Sequence, residues 1–116
     1  MALTNKVALI TGGVKNLGAQ TARELASLGA NLALHYHSAS SKPNASALTS
    51  ELQQTYPSIK IVSYKGDLTS AVAVTQLFQS VKQDFGHVDI VVNTVGKVLK
   101  KPISEITEDE YDTMFA

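Results

Sequence analysis

Between an apolar run and a helical pattern the chain carries Thr11-Gly12-Gly13-Val14-Lys15-Asn16-Leu17-Gly18, three glycines and a lysine within eight residues. Glycine accepts turns and close approaches that other residues refuse. A helix opening directly after such a turn presents unpaired N–H groups and a positive dipole end. Together they suit a pyrophosphate lying against the backbone. Gly12 is placed to permit the tight turn, and Gly18 to let helix and strand approach closely. A Walker-type phosphate loop is excluded, because no Gly-Lys-Ser/Thr follows. The bland alternative is a plain strand-to-helix turn with incidental glycines.

The elements that must position this turn follow one another regularly. Lys6 to Thr11 (KVALIT) is a short, continuous apolar run, as expected of a strand covered on both faces. Leu17 to Leu28 carries Leu17, Thr21, Leu25 and Leu28 at helical spacing, and Gly29 stops it. Asn31 to Tyr36 is a second strand. Ser38 to Lys42 (SASSK) is polar enough for an exposed loop, and Pro43 to about Thr55 is a helix with proline in its first turn. Lys60 to Lys65 is a third strand, and Ser70 to Phe85 a helix with its stripe at Val74, Leu77, Phe78, Val81 and Phe85, closed by Gly86. Val88 to Asn93 is a fourth strand. Thr107 caps a further helix start with acids in its first turn.

Strands buried on both faces and alternating with helices call for a parallel sheet with right-handed crossovers and helices on each side. The expected fold class is therefore α/β, a Rossmann-like doubly wound sheet in three layers, breaking off after its fourth strand. In such a sheet the first turn lies at the carboxyl edge, where ligands bind.

Composition narrows the function classes. The 116 residues make one domain, and ten acidic against ten basic side chains leave no field that would draw nucleic acid or an anionic membrane surface. The absence of cysteine excludes disulfides and thiolate metal sites. The N-terminal apolar run is too short for a signal peptide or a membrane span, so a cytoplasmic protein is expected. Asn44-Ala45-Ser46 fits the glycosylation pattern, but no secretion signal accompanies it.

With the turn in this setting, the sequence resembles the short-chain dehydrogenase/reductase family. The turn is similar to that family's T-G-x-x-x-G-x-G motif, with Asn16 at the middle glycine; Asn tolerates the positive φ such a position needs. Asp67 in Gly66-Asp67-Leu68 follows the third strand, where the family sets an Asp against the adenine amino group. Asn93-Thr94-Val95-Gly96 resembles the family's N-N-A-G, matching at Asn93 and Gly96 and departing at Thr94 and Val95. The resemblance runs from Lys6 to the end of the chain. It implies one NAD(P)-binding domain over residues 1–116, the N-terminal part of a longer oxidoreductase. That enzyme would act on a small carbonyl or secondary alcohol and assemble as a dimer or tetramer. It implies cofactor contacts from Gly12, Gly13, Lys15, Asn16, Leu17, Gly18, Tyr36, His37, Ser38, Asp67, Leu68, Asn93, Val95 and Gly96.

The choice of cofactor turns on the end of the second strand. An NAD-specific fold places Asp or Glu there for the ribose 2′-hydroxyl. This chain has His35-Tyr36-His37, then Ser38, Ser40, Ser41 and Lys42, and no carboxylate before Glu51. In NADP-preferring relatives a basic residue often stands where Lys15 stands, and another where His37 stands. NADP(H) is expected over NAD. The bland view makes Lys15 a turn lysine and His35 and His37 solvated strand-end residues. Two histidines with no carboxylate nearby are too few for a metal.

The family's chemistry uses Tyr and Lys four apart on one helix, with a Ser and an Asn. The one Tyr-x-x-x-Lys here is Tyr56-Pro57-Ser58-Ile59-Lys60. Pro57 pushes Tyr56 out of the helical region, so this pair is expected to be a decoy. No residue of 1–116 matches the four catalytic positions, and none is assigned a catalytic or metal-binding role. Two other classes stay open: a non-catalytic dinucleotide-binding or sensing module, and an unrelated flavin or phosphate binder.

Overall fold

The computed structural model describes residues 2–94. Val95, Gly96 and the helix expected after Thr107 lie outside the described residues. The elements are β1 (Val7–Thr11), α1 (Asn16–Ser27), β2 (Asn31–Tyr36), α2 (Lys42–Thr55), β3 (Ile61–Lys65), α3 (Ala71–Phe85) and β4 (Ile90–Asn93), with a 3-10 turn at Ala39–Ser41 ahead of α2. All pairings are parallel and the strand order is β3-β2-β1-β4. The order reverses at β1, which has β2 on one side and β4 on the other. That reversal leaves a crevice beyond the carboxyl ends of β1 and β4.

Alternation along the central strands divides the core into two layers. Ala8 and Ile10 of β1 join Leu32, Leu34 and Tyr36 of β2 beneath α1 and α2. Val7, Leu9 and Ala33 face the other way, onto Val74, Leu77 and Val81 of α3. A strand with period-two side chains and a helix on each face must be apolar at every position, as VALIT and NLALHY nearly are. The three-layer doubly wound sheet expected from the sequence is the one found.

Three local expectations differ. Only β1 and β2 are buried on both faces. In β3 burial falls away after Ile61, and β4 is half-buried throughout, because each lies at an edge of the described sheet. The face α1 buries is Gly18, Ala19, Ala22 and Ala26, not the leucine stripe; Leu17 is 68% and Leu28 42% exposed. Small side chains bring the helix axis close to the sheet, which a leucine face would hold away. The polar stretch Ser38 to Lys42 is no open loop, since the 3-10 turn buries Ser41 and Lys42 is already helical.

The helix ends follow local chemistry. The Ser70 hydroxyl caps α3 by accepting from the Ala73 N–H at 3.3 Å. Gly86 closes that helix with φ 87°. Among the described residues no helix is long and apolar enough to cross a membrane.

Candidate functional site

The turn from β1 into α1 is built from backbone packed on backbone. Gly12 has φ 64°, a left-handed conformation that carries the chain sharply away from the strand. A Cβ on Gly18 would stand 2.0 Å from the Gly12 carbonyl oxygen and 2.8 Å from the Gly13 Cα, so helix and turn touch with no side chain between them. A Cβ on Gly13 would meet the Ile10 carbonyl oxygen at 2.8 Å. Asn16 opens α1 with φ 50°, the positive value anticipated for a residue in the middle-glycine place.

No side chain caps the start of α1. Lys15 stands at its N-cap in an extended conformation, and the first turn holds no acidic residue. The N-terminal dipole end of this 12-residue helix therefore faces the crevice with no acidic side chain in its own first turn.

Two neighbouring strands brace the turn. His35 in β2 accepts from the Gly12 N–H through Nδ1 at 3.2 Å, and its own carbonyl accepts from the Gly13 N–H at 2.9 Å. Beyond β4, the Thr94 hydroxyl donates to the carbonyl oxygens of Thr11 at 2.5 Å and Gly12 at 3.3 Å. The Thr11 hydroxyl in turn donates to Asn93 Oδ1 at 2.8 Å. The bonds from His35 and Thr94 fix main-chain groups of the turn, and the Thr11–Asn93 bond ties the side chains of the two strand ends together.

A cavity of about 260 Å³ opens over this turn, lined by Gly12, Val14, Lys15, Asn16, Leu17, Gly18, Tyr36, His37, Ser41 and Thr94. Seven residues singled out from the sequence thus meet in one place: Gly12, Lys15, Asn16, Leu17, Gly18, Tyr36 and His37. Gly13 lies buried behind them, and the Ser38 hydroxyl pairs with that of Ser40 at 2.8 Å. Val14 and Thr94 line the cavity without having been anticipated, and Ser41, one of the hydroxyls noted after the second strand, joins them. Thr94 stood in the sequence only as a departure from a motif. Among the described residues no acidic side chain lines the cavity.

Asp67 lies beyond β3, fully exposed, with its carboxylate held by the Thr69 hydroxyl at 2.7 Å and the Thr69 N–H at 3.0 Å. These bonds, the hydroxyl first, hold its carboxyl below the usual aspartate value, with a smaller contribution from the charge of His37. Leu68 sends its side chain into the α3 core at 4% exposure, which leaves only its main chain for any ligand. His35 is no solvated strand-end residue: it is 2% exposed.

Tyr56 and Lys60 share no helix. Tyr56 is the residue after α2, bonded back to the Leu52 carbonyl, while Lys60 donates through Nζ to the Asp84 carbonyl and sits over the Phe85 ring.

The short chain dehydrogenase family model matches residues 6–116. A hydroxynaphthalene reductase-like protein of Metarhizium anisopliae is 42% identical over 113 residues, covering 97% of this chain and 41% of its own length. Among solved structures, a Burkholderia cenocepacia protein with bound NADP is 48% identical with a TM-score of 0.76, covering 97% of this chain and 42% of its own. A blue fluorescent protein from a metagenomic library, in complex with NADPH, is 36% identical with a TM-score of 0.78, covering 98% of this chain and 45% of its own. The chain thus spans less than half the length of each of these proteins.

Proposed function

The chain belongs to the short-chain dehydrogenase/reductase family, and on that premise we propose that it forms the cofactor seat of an oxidoreductase using NADP(H). The observation that carries this reading is a cavity over a helix N-terminus with no side-chain cap, with Lys15 and His37 at its lining and no acidic residue among the described residues that line it. The pyrophosphate would lie on the Gly12–Gly18 turn, where glycine and Asn16 leave backbone open to it. Any side chain at Gly18 would collide with the turn itself. The 2′-phosphate would meet Lys15 and His37, with Ser38 and Ser41 close by in sequence and space; charge-assisted bonds of this kind are roughly twice as strong as neutral ones. Asp67 would take the adenine amino group, with Asn93 and Gly96 beside the second ribose.

When bound, the nicotinamide supplies the hydride exchanged with a carbonyl or secondary alcohol. The residues of this chain bind and orient it; none of the described residues is given a proton-transfer role. Cofactor complexes of two similar proteins support the preference for the phosphorylated dinucleotide. A titration with NADPH followed through backbone amide resonances tests the placement. The resonances of Gly12, Lys15, Asn16, Gly18 and His37 should move together, while Gly86 and Asp89 at the opposite edge of the sheet stay still. Movement centred elsewhere would refute the seat.

A further inference from the structure

One buried ring joins the two turns between which this cofactor would lie. His35 follows Leu32, Ala33 and Leu34 in β2, and strand alternation turns it to the α3 side with Ala33. Its Nδ1 accepts from the Gly12 N–H at 3.2 Å, and its Nε2–H donates to the Gly66 carbonyl oxygen at 2.7 Å. Gly12 belongs to the glycine turn after β1. Gly66 follows β3 and precedes Asp67. The ring therefore spans from β1 to β3 across the end of its own strand.

The partners specify a single ring state. With the proton on Nδ1, an N–H would point at the Gly12 N–H, and Nε2 would offer a lone pair to a carbonyl oxygen. A doubly protonated ring makes the same clash at Gly12. Only the neutral Nε2–H form satisfies both neighbours.

We propose that His35 is a positioning residue for the dinucleotide: in its neutral Nε2–H form it locks the glycine turn to the Gly66–Asp67 turn and so fixes the span between the pyrophosphate and adenine ends of the seat. The proposal rests on the cofactor reading above. Its consequence is a cofactor affinity that depends on pH through a group the ligand never touches.

Burial pushes the His35 imidazole below its ordinary value; the bond to Gly66 opposes this, and the charge of His37 adds to it. A group whose value is lowered in the folded protein holds its contribution above the ordinary histidine range and loses it as pH falls through the lowered value. The titratable groups on the elements packed around it are Tyr36 and His37 at its own strand end, Tyr64 and Lys65 on β3, Asp67 beyond it, and Lys15 in the glycine turn. Asp67, held below the usual aspartate value, and Tyr64, pushed above the usual tyrosine value by burial and the bond to Asp84, each keep one charge state through this range. A histidine gaining charge at the cavity would strengthen binding of an anion as pH falls, the opposite sign to the loss expected from His35.

The test is titration of the full chain with NAD+ from about pH 7.5 down to the lowest pH at which the unliganded chain stays folded, together with nitrogen-15 spectra of the imidazoles. NAD+ lacks the 2′-phosphate, whose own ionisation falls near about pH 6. The unsubstituted protein should lose affinity as pH falls through the lowered His35 value, by up to about tenfold, the scale of one broken hydrogen bond with a buried partner left unmet. His35→Asn keeps a neutral polar group beside Gly12 and should flatten the profile. The spectra should show His35 with Nδ1 as acceptor and Nε2 protonated at neutral pH. Equal pH profiles for His35→Asn and the unsubstituted protein would overturn the proposal and leave the cofactor seat standing. So would a proton on Nδ1, a readout that survives even if the variant fails to fold. Binding of neither NAD+ nor NADP+ at any pH would overturn the cofactor reading itself, and with it the proposal.

Discussion

Gly18 has no room for any side chain. Even alanine's Cβ would lie 2.0 Å from the Gly12 carbonyl oxygen, and that neighbour is backbone, which cannot swing aside. Gly18→Val is therefore expected to lower stability by about 1–3 kcal/mol, as overpacking does, and to abolish dinucleotide binding; thermal unfolding and a titration check the two effects. Asn16 makes the opposite case. Its φ of 50° is strained for most residues, so Asn16→Gly should fold as well as the parent, while Asn16→Val should cost on the order of 1–2 kcal/mol. A large loss of affinity in Asn16→Gly would show that the amide itself holds the ligand. The glycine spacing and the Asn substitution were legible in the sequence because backbone geometry restricts residue type so strongly there. His35 and Thr94 were not. Nothing in NLALHY marks one polar residue as buried under a neighbouring turn, and Thr94 acts through its hydroxyl on carbonyls 82 and 83 positions away in the chain.

At the scale of elements, α1 shows where periodicity misleads. Helical spacing of Leu17, Thr21, Leu25 and Leu28 pointed to a leucine face, whereas the sheet receives Gly18, Ala19, Ala22 and Ala26. Residue size decided it. A turn that must touch the helix backbone at Gly18 draws the whole helix close, and Ala19, Ala22 and Ala26 are what it buries along the rest of that face, with Leu25 packed partly buried at its side. Ala22→Leu should thus cost roughly 1–3 kcal/mol, while Leu17→Ala, at 68% exposure, should change stability by no more than about 0.5 kcal/mol. Denaturant unfolding of the two variants checks this, and the reverse ranking would mean that α1 is rotated from the described orientation. The other helices were legible, since α3 buries Val74, Leu77 and Val81 from the expected stripe and stops at Gly86. Burial of β3 and β4 was overestimated, because an apolar run does not announce whether its strand lies at the centre or an edge.

For the whole molecule, the strand order carries the account. With β2 and β4 on opposite sides of β1, the crevice falls beside the glycine turn, and the end of β2 brings Tyr36 and His37 to it. Tyr36 belongs to the core under α1 and α2 at 8% exposure, so a carboxylate meant to repel a 2′-phosphate belongs at exposed His37 instead. His37→Asp should weaken NADPH by about tenfold or more while sparing NADH, since like charges face each other only in the former. The central claim, that this crevice is a seat for NADP(H), meets its most direct test in paired equilibrium titrations with NADPH and NADH on the unsubstituted protein and on Lys15→Ala. The account predicts tighter binding of NADPH by the unsubstituted protein. In Lys15→Ala it predicts an NADPH loss of about tenfold or more, the scale of one charge-assisted contact, with NADH nearly unchanged. Equal affinity of the unsubstituted protein for both dinucleotides, or an equal loss of both in Lys15→Ala, would contradict it.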